Sequence, residues 1–209
     1  MKALTSGFHS LPPHAMAVIH GCDALSAATL ERLFAYIEAQ RKEPVWNANI
    51  NLWDSGIVHR SSPVLVHPIE QAFSDALLAE LHERGKLPYR HHGIPVMFYA
   101  WPAGSYIPWH SDFIDKYSMT VYLNQSWKPD HGGAFCWQDW GMGIERHDWS
   151  APPLQCQMIR PRFNAYALMT DTEWHAVTMT TPDAPPRLTL QMFLPRPRPE
   201  MATPPRPAS

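Results

Sequence analysis

The chain has 209 residues, 45% of them hydrophobic, and 17 Lys and Arg against 19 Asp and Glu give a net charge of −2. That apolar fraction excludes a disordered chain, and the length allows one domain with a sizeable core. A charge so near zero gives no general electrostatic reason to bind nucleic acid or anionic lipid.

The start, MKALTSGFHSLPPHAM, lacks the continuous apolar run of a signal peptide, and no apolar segment is long enough to span a bilayer. Cys22, Cys136 and Cys156 are odd in number and match no zinc-knuckle spacing, which argues against a disulfide framework or a structural zinc. The expectation is a soluble, cytoplasmic protein. The 22 prolines and 9 tryptophans predict short, Pro-punctuated segments and aromatic surfaces rather than a helix bundle.

In chain order, residues 24–42 read as a helix. Ser26 suits the N-cap, Leu30, Leu33, Phe34 and Ile37 share a face, and Pro44 ends it. A second helix is expected from about Pro68, at its first position, to Arg84. Phe73, Leu77 and Leu81 form its stripe and Gly85 its stop. Strand-like runs then follow at 94–101, 117–124, 133–139, 154–161, 164–170 and 187–194. Residues 140–153 read as a long connecting loop, and 195–209 as a Pro/Arg-rich flexible tail. The pattern predicts an α+β chain, mainly β, with its strands in a jelly-roll or barrel.

The stretch SYIPWHSDFID (105–115) sets His110 and Asp112 two apart. In an extended run such residues point to one side, so they could grip a metal ion or simply be two polar side chains at a strand end. His175, between two apolar strands, adds a second imidazole. Two histidines and one carboxylate make a facial triad that leaves one side of an octahedral metal open. This suits non-haem Fe(II) binding both a cosubstrate and O2. Arg187 opens RLTLQMFL, and an arginine beside such a metal can hold a carboxylate through two parallel hydrogen bonds.

With YIPWHSD (106–112), TVYLNQSW (120–127), HGGAF (131–135), WHAV (174–177) and RLTL (187–190) in this order, the chain resembles the prolyl-4-hydroxylase-like branch of the Fe(II)/2-oxoglutarate-dependent oxygenases. The resemblance implies a double-stranded β-helix (jelly-roll) core at about 94–194, with the helices of a largely helical part, 1–93, packed on one sheet. Residues 1–194 would form a single domain. It implies iron on His110, Asp112 and His175, with the distal carboxylate of 2-oxoglutarate on Arg187 and the Tyr122 hydroxyl. Arg187 stands where the collagen-type enzymes carry lysine. Where family members often have a tyrosine, about nine residues before the first histidine, this chain has Trp101, with Tyr99 on the same strand face. Either could line the cosubstrate pocket.

The implied cofactors are Fe(II), 2-oxoglutarate as cosubstrate and O2, with ascorbate as reductant in vitro. The implied reaction hydroxylates an unactivated C–H bond of an amino acid, amino-acid derivative or peptidyl residue, releasing succinate and CO2. The presence of Asp112 favours hydroxylation over halogenation. Trp101, Trp109, Phe113, Trp137 and Trp174 are candidates for an aromatic wall over the substrate, or for plain core. Asn49, Asn51 and Arg60 are candidates for its polar groups. His91 and His92, read as strand neighbours, point apart and cannot share a metal. Cys136 reads as a small apolar strand residue. A non-catalytic sensor barrel, a nucleic-acid dealkylase of the same superfamily, and an interaction module using the tail are the competing readings.

Overall fold

The structure is a computed structural model. It describes residues 18–40, 64–110, 116–138, 156–170 and 174–196, and the backbone of 47–49. The expected loop at 140–153, the segment holding Asn51 and Arg60, and the tail from 197 lie outside the described residues, as do Asp112, Phe113 and Pro44.

Two helices, α1 (Ala27–Gln40) and α2 (Gln71–Glu83), accompany eleven strands: β1 (Val18–Gly21), β2 (Asn47–Asn49), β3 (Val64–Pro68), β4 (Met97–Trp101), β5 (Ile107–His110), β6 (Lys116–Tyr122), β7 (Phe135–Trp137), β8 (Gln157–Ile159), β9 (Tyr166–Met169), β10 (His175–Val177) and β11 (Arg187–Pro195). Among the described residues they form two antiparallel sheets, ordered β1-β9-β6-β11-β4-β3-β2 and β5-β10-β7-β8. This is the expected mainly-β architecture.

Strand alternation builds the layers. On β11, Leu190, Met192 and Leu194 are buried toward the helices, whereas Arg187, Thr189 and Gln191 lie on the opposite face, as period two requires. On β4, Phe98 and Ala100 join the helix-side core, and Tyr99 and Trp101 join the second core, between the sheets. Leu30, Leu33 and Ile37 of α1 and Leu77, Leu78 and Leu81 of α2 complete the first core, with Phe34 and Phe73 packed against it. Phe135, Trp137, Val177 and Ile107 of the small sheet face Tyr99, Trp101 and Met169 across the second.

Four readings need correction. The part before residue 94 is not only helical, because β1, β2 and β3 add strands to the large sheet. Pro68 does not start α2. It pairs with Met97 as the last residue of β3, the following Ile69 N–H donates to the Val96 carbonyl, and Glu70 becomes the N-cap. His91 and His92 lie in the loop before β4 rather than on a strand; His92 Nδ1 is 2.9 Å from Asp75 Oδ2. The tail begins later than expected, since β11 runs through Pro195, which pairs with Lys116, and Arg196 Nη2 donates to the Thr170 carbonyl at 2.8 Å.

The two helices are tied by their ends. The Ser26 hydroxyl accepts from Thr29 N–H, the expected cap. Glu80 of α2 accepts from Ser26 N–H at 2.5 Å and from the Thr29 hydroxyl. Asn164, at φ 57°, holds both the N–H and the carbonyl of Leu25 through its side-chain amide, at 2.9 and 2.8 Å. The entry to α1 is therefore fixed from the start of β9. All three cysteines are free, with Cys136 buried as expected.

Candidate active site

The small sheet brings the two histidines together. His110 ends β5 and His175 begins β10, and the antiparallel pairing sets them directly opposite, with ring centroids 4.1 Å apart. Pro108 is tolerated inside β5 because β5 is an edge strand. Its carbonyl lies 2.8 Å from His110 Nδ1. A carbonyl can only accept, so Nδ1 carries the proton and Nε2 of the neutral ring carries a lone pair suited to a metal. The His175 ring leans on Phe135 at 5.6 Å. Among the described residues no third His, Cys, Asp or Glu joins the pair; Asp112 lies outside them.

Both histidines line a narrow cavity between the two sheets. Its wall also holds Tyr99, Trp101, Ile107, Phe135 and Arg187. Tyr99 and Trp101 therefore share the wall; their rings stack at 5.6 Å, and Trp101 Nε1 donates to the Thr189 hydroxyl at 3.2 Å. Burial pushes the Tyr99 hydroxyl up to about 12, so it stays a protonated donor at neutral pH.

Arg187 is 2% exposed. Its guanidinium lies 5.5 Å from the Trp101 ring centre and 5.2 Å from that of Tyr122. Among the described residues no carboxylate pairs with it, and its Nε and the Tyr122 hydroxyl are buried without a hydrogen-bond acceptor or donor in good geometry. Burial lowers the guanidinium pKa and raises that of the Tyr122 phenol, and their proximity opposes both shifts. A buried, uncompensated cation is costly, and a bound anion would relieve it. The pair thus fits an entering carboxylate. Tyr122 itself is buried beside Arg187 and is not among the residues lining the cavity.

The glycines of H-G-G-A-F have a specific use that spacing alone does not reveal. A Cβ on Gly133, at φ +66°, would come within 2.8 Å of Arg187 Cδ, and one on Gly132 within 2.0 Å of the Met179 carbonyl oxygen. Glycine here lets the arginine stem run flat against the chain.

The proposed aromatic wall is only partly drawn together. Trp137 is buried in the core between the sheets, stacked on Phe135 at 5.7 Å. Trp109 is half-buried on β5, and Trp174 is half-buried with its carbonyl accepting from Gln138 N–H. None of the three lines the cavity, whereas Ser118, Thr120 and Gln191, not singled out from the sequence, do. Their signal was present in the polar residues alternating with apolar ones on β6 and β11.

Residues 96–195 match a family model described as the 2OG-Fe(II) oxygenase superfamily. A comparison with curated proteins returns no match. Among solved structures, the chain is similar to a Pseudomonas putida prolyl-4-hydroxylase, at 17% identity and TM-score 0.59, covering 87% of this chain and 94% of that one. It is similar to a Trichoplax adhaerens prolyl hydroxylase solved with a hypoxia inducible factor oxygen degradation domain peptide, at 16% identity and TM-score 0.62, covering 86% and 83%. HygX from Streptomyces hygroscopicus, solved with nickel, 2-oxoglutarate and hygromycin B, matches at 12% identity and TM-score 0.53, covering 86% and 83%. At these identities the structures speak to the fold, a double-stranded β-helix core.

Proposed function

We propose that the chain, whose residues 96–195 match the 2OG-Fe(II) oxygenase superfamily model, uses Fe(II), 2-oxoglutarate and O2 to hydroxylate an unactivated C–H bond of an amino acid, amino-acid derivative or peptidyl residue. The observation that carries the reading is the buried Arg187 guanidinium, without a carboxylate partner among the described residues, in the same cavity as the His110–His175 pair. His110, Asp112 and His175 would hold the iron, and Arg187 with Tyr122 the distal carboxylate of the cosubstrate. When bound, the iron would activate O2, which is the oxidant: one of its oxygen atoms would go into the C–OH and the other into the succinate left as 2-oxoglutarate loses CO2.

The chain's own residues prepare this chemistry. The Pro108 carbonyl fixes the His110 tautomer. Arg187 and Tyr122 offer a cation and a phenol in a dry setting, where charge-assisted bonds are strong. Tyr99, Trp101 and Phe135 restrict water around them. The substrate class is supported by analogy: relatives of this fold were solved with a peptide and with hygromycin B. In this reading, one oxygenase domain extends to the end of β11 and the Pro/Arg-rich tail follows.

The test is anaerobic visible spectroscopy of the purified protein with Fe(II), before and after 2-oxoglutarate. A weak charge-transfer band requiring both is expected. Asp112→Ala should lose the band and all 2-oxoglutarate-coupled hydroxylation. Normal turnover by that variant would refute the triad.

A further inference from the structure

Asn124 closes the Tyr-Leu-Asn run at the end of β6 and is buried. β6 and β11 pair from Thr189↔Tyr122 to Pro195↔Lys116, and extending that register by two residues sets Asn124 opposite Arg187. The backbone ladder cannot continue past this point, because Pro185 and Pro186 lack N–H groups. The Asn124 side chain takes its place. Its Oδ1 accepts from Leu188 N–H at 2.7 Å, and its Nδ2 donates to the Pro186 carbonyl at 2.9 Å. One amide therefore grips the chain immediately before and after Arg187. On the other flank, Arg187 is in register with Trp101 of β4.

We propose that Asn124 is a positioning residue for the cosubstrate: it sets the height and direction of Arg187 and thereby the affinity for a dicarboxylate. This rests on the reading of Arg187 as carboxylate anchor. Only a side chain with both a donor and an acceptor can make the two bonds, which selects an amide over a carboxylate or an aliphatic residue. Gly133 supports the same arginine from below its stem, and Trp127 holds Gly132 through a 3.0 Å bond from Nε1 to the carbonyl. The Y-L-N-Q-S-W and H-G-G segments thus converge on one residue, the first gripping its backbone and the second its side chain.

The experiment is a double-mutant cycle read by binding. 2-Oxoglutarate is titrated anaerobically into Fe(II)-loaded protein and followed by tryptophan fluorescence. Asn124→Ala should raise Kd about 10- to 30-fold, because Arg187 is no longer held in the position that meets the carboxylate, with Fe(II) affinity unchanged. Asn124→Asp keeps the Leu188 bond and should raise Kd only about threefold; it also covers the case in which the alanine variant does not fold. In an Arg187→Met background, Asn124→Ala should change Kd less than about twofold. Unchanged affinity in Asn124→Ala, with Arg187→Met weakened, would overturn the proposal and leave Arg187 standing. Additive effects would also overturn it, because Asn124 would then act elsewhere. If Arg187→Met itself binds normally, the anchor reading falls and the proposal with it.

Discussion

A guanidinium 2% exposed, with no carboxylate beside it among the described residues, is expensive for a folded chain to keep. The expense separates binding from stability. Arg187→Met should leave the ligand-free protein as stable or more stable, by about 0–3 kcal/mol in urea unfolding, while raising the 2-oxoglutarate requirement about 100-fold. A variant that is less stable and binds normally would remove Arg187 from the cosubstrate site. Gly133→Ala should behave oppositely. The positive φ and the 2.8 Å approach to Arg187 Cδ predict a loss of about 1–3 kcal/mol, with weaker 2-oxoglutarate binding as the arginine stem is pushed aside. Retained stability together with retained affinity would contradict the packing described. The residue types at His110, Asp112, His175 and Arg187 were readable in the sequence because metal and carboxylate chemistry restricts the choice. The roles of Gly133 and Asn124 were not, because they depend on which atom of a distant residue lies nearby.

At the scale of elements, the α1–α2 link hangs on Glu80. Burial pushes its carboxyl up, but hydrogen bonds from Thr29 and Ser26, with Arg84 nearby, outweigh this and hold it below the usual carboxylate value. A lowered folded-state pKa means that the bonus is present above the unfolded-state value of 4.5 and is lost as pH falls through the folded one. Glu80→Gln should therefore cost about 1 kcal/mol at neutral pH, discounted for partial exposure, and the gap to wild type should close below pH 4.5. A pH-independent gap would mean that the charge is irrelevant. The helices, β6 and β11 were legible because each carries enough residues for its period to show, and β4, β7, β8 and β9 because Gly, Pro, Asn or Asp brackets their apolar runs. β1, β3, β5 and β10 hold three to five residues, and β5 contains Pro108. A run that short has no distinctive period; hydrogen bonding to neighbours makes it a strand. Pro68 failed as a helix start for the same reason, since its partner Met97 lies far along the chain.

Across the whole molecule, the cavity sits between two sheets, so its occupant should bind the folded state alone. At 100-fold excess over Kd, 2-oxoglutarate with Fe(II) should stabilise by about 2.7 kcal/mol, raising Tm about 5–10 °C. Chelation of the metal should abolish the rise, and Arg187→Met should lack it. An equal rise in that variant would place the ligand elsewhere. The described residues contain no helix long and apolar enough to cross a membrane. The sequence by itself determined the mainly-β class, the apolar faces of both helices and of β4, β6 and β11, and the identity of the candidate ligands, because these are properties of local pattern and side-chain chemistry. Only the tertiary structure decided that β5 and β10 pair so that His110 meets His175, that Tyr99 and Trp101 share the cavity wall while Tyr122 is buried beside Arg187, and that Trp137 packs in the core. Those outcomes follow from strand register and sheet-on-sheet packing. Both are set by contacts between residues far apart in the chain, and local periodicity carries no record of them.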